Sequence, residues 1–208
     1  MRALLDQKVR PASANSPKSS PTSRRLLLAL LLVMLAPAIA FGGYLGYLQV
    51  SGNVHVIEPG LAIRSAELSP DQLKSVIDLY GIRSIISLVR PEPERSWYRD
   101  ELAVSATRNL ARYEFPLSTT KELTSEQLAQ LLSIMRTAPK PVLIHCKNGS
   151  DRSGLAAAIF EYALASRSLD ESRQQLSLRY GHFPYLWSRT GAMDASFARF
   201  VSDHSHLR

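Results

Sequence analysis

The sequence predicts an α/β fold, a central, mostly parallel sheet flanked by helices and preceded by one N-terminal transmembrane helix. Three observations predict it. From about residue 53, strand-like and helix-like segments alternate, the pattern of layered α/β domains. PVLIHC, residues 141–146, is an unbroken apolar run of the kind found in a strand covered on both faces. LLLALLLVMLAPAIAFGGYLGYLQV, residues 26–50, carries no charge. At a rise of roughly 1.5 Å per residue it is long enough to cross about 30 Å of hydrocarbon.

The elements follow in chain order. Arg2, Lys8, Arg10, Lys18, Arg24 and Arg25 stand against Asp6 alone before the apolar run, a net +5 of the chain's +7. The remainder is therefore close to neutral, and the high isoelectric point reports topology. Nucleic-acid binding is not expected. Residues 1–25, rich in Pro and Ser, read as a disordered basic tail kept in the cytoplasm by the positive-inside rule. Residues 26–50 then form a transmembrane helix or signal anchor, and the domain over 53–208 is exported. The alternative is a cleaved signal peptide and a soluble exported protein. Ala38-Ile39-Ala40 is an acceptable cleavage site, and Ser23-Arg24-Arg25 has a faint twin-arginine character. Continuation of the apolar run through Phe41, Tyr44, Leu45, Tyr47 and Leu48 favours the anchor.

NVHVIEPGLAIRS reads as two short strands around a Pro-Gly turn. Ser69 caps a helix with Pro70 in its first position. That helix places Leu73, Val76, Ile77 and Tyr80 on one face and stops at Gly81. RSIISLV is a buried strand closed by Arg90-Pro91-Glu92-Pro93. A helix is expected over 97–111, then a short strand RYEFPL. Thr124 and Gln127 form a capping box for the next helix. After 141–146 and its loop, GLAAAIFEYALA is strongly helical, and two further helices are expected near 170–180 and 192–202. No internal repeat or second domain is present.

The strand at 141–146 runs into HCKNGSDRSG and then into a helix, and this loop holds Cys146, the chain's one cysteine. A single Cys forms no intramolecular disulfide. A tight strand-to-helix loop turns successive backbone N–H groups inward at the positive end of a helix dipole, which makes an anion site suited to phosphate. The same donors favour the thiolate form of a thiol at the loop's start. Arg152, at the helix entrance, can present a planar fork to two oxygens of one phosphate. Gly149 permits close backbone approach.

HCKNGSDRSG matches His-Cys-x5-Arg-Ser/Thr-Gly, and the chain resembles the protein tyrosine phosphatase superfamily in its Cys-based dual-specificity branch, of the compact bacterial type. EPGLAIRSAELS followed by YGIRSIISL is similar to the N-terminal part of such proteins, so the resemblance covers about residues 53–202. It implies a phosphatase domain over 53–208 in which Cys146 takes the phosphoryl group as a thiophosphate. Arg152 would bind the phosphate and steady the transition state, and Ser153 would stabilise the departing thiolate. Lys147, Asn148, Gly149, Ser150, Asp151 and Arg152 would cradle the phosphate, with His145 supporting the loop. No metal and no cofactor is expected. Sulfurtransferases of the rhodanese type also hold a lone Cys in such a loop, but they lack the Cys-x5-Arg-Ser-Gly spacing.

The departure from the family concerns the general acid, a group worth roughly 10²–10⁴ in rate. Relatives supply an Asp about thirty residues before the Cys, whereas positions 116–120 here hold no carboxylate. Asp151 is the leading substitute, followed by Glu122, with Glu114 the weakest; an enzyme without an acid would still act on good leaving groups. Lys147 suits a highly charged or membrane-bound phosphate, with a solvated surface Lys the equal alternative. RYGHFPYLWSR, residues 179–189, reads as core packing with a surface loop, with a pocket wall as the alternative; His55 reads as structural, and His204 with His206 as a tail pair with no metal role. The expected activity is hydrolysis of phosphate monoesters on a phosphorylated protein, a lipid or a small organic molecule, with the membrane engaged through the N-terminal helix. A phosphate-binding pseudophosphatase is the alternative.

Overall fold

The structure, a computed structural model, describes residues 21–185 and 188–205. Most of the predicted tail, together with Leu186, Trp187 and His206, lies outside them. The first helix, α1 (Pro21–Val50), begins five residues before the predicted apolar segment and contains Pro37. Its stretch Arg24–Val50 is long and apolar enough to cross a membrane by length and composition. Leu26, Leu30, Val33 and Ile39 are exposed on it, an apolar surface that requires a cover.

The chain divides into two compact units, Met1–Gly43 and Tyr44–Arg208. The second therefore takes in the last two turns of α1. There Leu48 is buried, the Tyr44 hydroxyl donates to the Arg179 carbonyl at 2.6 Å, and Gln72 Nε2 donates to the Val50 carbonyl at 2.9 Å.

Five strands form one sheet in the order β1-β2-β5-β3-β4. They are β1 (His55–Glu58), β2 (Ala62–Ser65), β3 (Ser84–Ser87), β4 (Ala111–Glu114) and β5 (Val142–His145). Only β1–β2 is antiparallel. The sheet is therefore mostly parallel with β5 at its centre, as the unbroken apolar run implies.

Register assigns the two faces. Ile63, Leu143 and Ile85 lie side by side and bury against Leu73, Val76 and Ile77 of α2 (Pro70–Tyr80) and Val104 of α3 (Ser96–Thr107). The alternate set, including Ala62, Ile144 and Ile86, faces α4 (Ser125–Thr137), α5 (Asp151–Leu164) and α7 (Gly191–Asp203).

The caps are where the sequence puts them. Ser69 with Gln72 and Thr124 with Gln127 close full capping boxes, and Gly81 ends α2 in the left-handed region. Two expectations change. The helix over 97–111 ends at Thr107, because Asn109 turns to φ 51° before β4 starts at Ala111. The helix near 170–180 is instead α6 (Leu169–Arg173) and a separate 3₁₀ turn at Leu178–Tyr180. The loop between them carries Gln175, which accepts from a buried arginine described below.

Candidate active site

The site sits at the carboxyl end of the central strand, where the sheet order diverges towards β2 on one side and β3 on the other. Ligands in open α/β sheets bind in that crevice. Cys146 is the first residue after β5. Its N–H donates to the Ser65 carbonyl at 3.3 Å, and the residue is 2% exposed. Its Sγ lies 3.4 Å from the Ser153 hydroxyl, within reach for a hydroxyl that stabilises a thiolate.

Gly149 takes φ +70°, and a Cβ there would stand 2.6 Å from the Ala66 nitrogen and 2.9 Å from Asn53 Cβ. The loop is thus packed directly on the chain that follows β2, and only glycine fits. α5 starts at Asp151, three residues earlier than the predicted helical run, so Asp151, Arg152 and Ser153 occupy its first turn and its N–H groups face the loop.

Arg152 is held by one end. Its Nη1 donates to the Leu88 carbonyl at 3.1 Å and reaches the Leu117 carbonyl at 3.5 Å. Its Nε is buried and has no acceptor among the described residues. The guanidinium edge opposite Nη1 is the one that a bidentate anion would engage.

Residues outside the motif hold the loop from behind. Arg64, at 0% exposure, is the largest fully buried side chain among the described residues. One nitrogen, Nη2, donates to the carbonyls of Gly149 and Ser150 at 2.9 and 2.8 Å. The other, Nη1, donates to the backbone carbonyl and the side-chain oxygen of Gln175, both at 2.7 Å. Asn53 Nδ2 adds a bond to the Asn148 carbonyl at 3.0 Å. With these three consecutive carbonyls fixed away from the site, the peptide N–H groups on the opposite edges of those planes turn towards it. Burial lowers the Arg64 pKa to about 10, although Cys146, Tyr180, Glu161 and Asp151 oppose the drop; it stays a cation at neutral pH. His55 bonds Asn53 Oδ1 at 3.0 Å and packs edge-on against Tyr180, a structural role, as expected.

His145 lies on the other face. Its Nε2 is 3.1 Å from Glu101 of α3, although neither ring nitrogen makes a well-directed hydrogen bond. Burial would raise the Glu101 carboxyl, but His145 and Arg112 outweigh it and hold the pKa at about 2. Arg112 Nη2 donates to Glu101 at 2.6 Å. A buried carboxylate thus ties the residue preceding Cys146 to β4.

Asp151 and Glu122 both have partners. Asp151 Oδ1 bonds His182 Nδ1 at 2.7 Å, and the other ring nitrogen of His182 bonds Asp194 of α7 at 2.9 Å. Glu122 accepts from Arg199 at 2.8 Å on the surface, and Glu114 accepts from Arg112 and Tyr98. His182 is 1% exposed. Burial would lower its pKa, yet the two carboxylates raise it to about 9. The charged ring therefore stabilises the fold fully below its unfolded pKa near 6.5, and this contribution is lost as pH rises through about 9. His182→Gln should unfold more easily near neutral pH, by on the order of 3 kcal/mol. The difference from the parent should shrink between about pH 7 and pH 10 in thermal melts. A pH-independent difference would rule out the charge as its source.

Arg64, Asn53, Glu101 and His182 were not singled out for the site by the sequence. For Arg64 a signal existed: one Arg inside the apolar strand AIRS asks for buried acceptors. His182 and Glu101 come from loops and helices that only the fold brings near.

A family model described as the Swiss Army Knife protein DSP-PTPase phosphatase domain matches residues 52–195. Among solved structures, TpbA of P. aeruginosa is similar at 19% identity and TM-score 0.51, over 73% of this chain and 92% of that one. A Cys-to-Ser variant of TpbA has been solved in complex with phosphotyrosine. The core catalytic domain of the PP-IP phosphatase Siw14 of S. cerevisiae is similar at 21% identity and TM-score 0.52, over 75% and 94% of the two chains. Tk-PTP in its active form is similar at 22% identity and TM-score 0.51, over 71% and 97%. No curated protein sequence matches.

Proposed function

This chain belongs to the Cys-based dual-specificity branch of the protein tyrosine phosphatase superfamily, and we propose that it hydrolyses phosphate monoesters through a thiophosphate intermediate on Cys146. The observation that carries this reading is Cys146 Sγ lying 3.4 Å from the Ser153 hydroxyl at the start of α5, whose first turn also carries Arg152 with its Nη1 anchored and its Nε without an acceptor among the described residues. Cys146 attacks phosphorus while the loop amides from Lys147 to Arg152 and the Arg152 fork take the charge on the equatorial oxygens. Water then attacks phosphorus, the P–S bond breaks, and Ser153 hydrogen-bonds the departing thiolate. His145 supports the nucleophile from the Glu101 side. Asp151, held by His182, fixes the helix entrance that carries Arg152.

The substrate is a phosphorylated protein, lipid or small organic molecule. Lys147, exposed beside the nucleophile, favours a highly charged one. We read α1 as a single-pass anchor with the basic tail in the cytoplasm and the phosphatase domain exported, which would raise the effective concentration of membrane-bound substrates. Cleavage near Ala40 would instead release a soluble enzyme that keeps Tyr44–Val50. The test is hydrolysis of p-nitrophenyl phosphate by the full-length chain in detergent under reducing conditions. Turnover that requires Cys146 supports the reading. Phosphate-analogue binding without turnover would make the protein a binding module.

A further inference from the structure

In the described geometry each sequence-predicted candidate for the general acid already has a side-chain partner. The segment 116–120 has no carboxylate, and the sequence-predicted substitutes are committed to His182, Arg199 and Arg112. Glu92 beside the site is paired with Arg95. Resting on the phosphatase reading, we propose that Glu67, in the turn between β2 and α2, is the general acid that protonates the leaving oxygen.

The placement follows from the sheet. Ser65 of β2 pairs with His145 of β5, and the pairing continues past both strand ends. Cys146 N–H donates to the Ser65 carbonyl, and Glu67 N–H donates to the Lys147 carbonyl, each at 3.3 Å. The Glu67 backbone is therefore bonded to the residue next to the nucleophile. Its half-buried side chain is within electrostatic range of His145 of β5, Lys147 of the loop, Glu92 of the β3–α3 connection and Arg152 of α5. No side chain among the described residues hydrogen-bonds its carboxyl.

Electrostatics suit the role. Burial raises the Glu67 carboxyl above the usual range, and Glu92 adds to the rise, against the opposing His145, Lys147 and Arg152. A bound phosphate dianion offsets those cations and pushes the proton affinity further up, as one anion does to another. The acid is thus best protonated when substrate is present.

The step balances without a co-reactant. Cys146 Sγ bonds to phosphorus, the bond from phosphorus to the ester oxygen breaks, and that oxygen takes the Glu67 proton. In the second half, the Glu67 carboxylate accepts a proton from the attacking water as the P–S bond breaks. Thiolate, protonated Glu67 and inorganic phosphate result.

The experiment compares the full-length chain with Glu67→Gln and Glu67→Asp on phenyl phosphate, a poor leaving group, and p-nitrophenyl phosphate, a good one. Tungstate affinity checks that the cradle is intact. Glu67→Gln should lower kcat on phenyl phosphate by roughly 10²–10⁴-fold and on p-nitrophenyl phosphate by less than about tenfold, with tungstate affinity unchanged. The basic limb of the phenyl phosphate pH profile should disappear, and Glu67→Asp should restore part of the rate. Equal losses on both substrates, or phenyl phosphate turnover within about threefold of the parent with its basic limb intact, would overturn the assignment while leaving the phosphatase reading standing. If the parent hydrolyses neither ester in a Cys146-dependent way, both fail together.

Discussion

Cys146→Ser should abolish ester hydrolysis, a loss on the order of 10⁴-fold or more, as for removal of a catalytic nucleophile elsewhere, and should leave phosphate-analogue binding in place. The asymmetry follows from the division of labour in the loop. Attack requires a thiolate, which a hydroxyl in the same position does not replace. In the proposed mechanism, anion binding comes from the loop amides and from Arg152, whose Nη1 is fixed by Leu88 and Leu117 rather than by Cys146. Serine also preserves the space beside Ser153, where the native sulfur lies 3.4 Å from the hydroxyl. Hydrolysis of p-nitrophenyl phosphate and tungstate titration of the same preparation check both halves. Turnover that survived the substitution would remove Cys146 from the mechanism.

Arg64→Met should cost about 3–5 kcal/mol of stability and lower kcat/KM on the order of 10²-fold, though Arg64 does not touch substrate. Methionine fills much of the volume but offers no donor. The carbonyls of Gly149 and Gln175 and the Gln175 side chain would lose the partners they have at 2.7–2.9 Å, while the Ser150 carbonyl would keep only the Gly154 N–H at 3.0 Å. Buried acceptors left unpaired carry the full desolvation penalty. Freed carbonyls let the peptide planes of the loop rotate, which disperses the inward N–H groups. A positive charge behind the cradle is lost as well. Thermal melts and tungstate affinity read the two effects separately. Arg64→Lys should recover only part of each, because an ammonium cannot span both pairs of acceptors as a planar fork does. Unchanged tungstate affinity in Arg64→Met would show that the loop holds its shape unaided.

The parts of the fold that the sequence announced are those set by local chemistry. Two capping boxes, the Gly81 stop and the apolar run at the sheet centre each depend on residues within a few positions of one another, and each is where the spacing put it. The strand-loop-helix arrangement around HCKNGSDRSG was legible for the same reason, since its parts are contiguous in the chain. Boundaries set by tertiary contacts were less legible. The helix over 97–111 stops early because β4 must begin at Ala111 to pair with Ser84 of β3.

The residues behind the loop were hidden because they are distant in sequence. Arg64 meets Gln175, Glu101 meets His145, and His182 joins Asp151 to Asp194 only once α5 has packed on the sheet. Asp151 illustrates the limit most clearly. In sequence it is a carboxylate beside Arg152, and its spacing gives no sign that a buried histidine from 31 positions away occupies it.

The most direct test of the account is to look for the phosphoenzyme itself. Full-length chain is mixed with p-nitrophenyl phosphate, quenched, digested and examined by mass spectrometry, in parallel with Ser153→Ala, which should slow breakdown of the intermediate. One phosphoryl group is expected on the peptide carrying Cys146, at higher occupancy in Ser153→Ala and absent from Cys146→Ser. Steady turnover with no phosphorylated Cys146 in either protein, or a phosphoryl group on another residue, would contradict it.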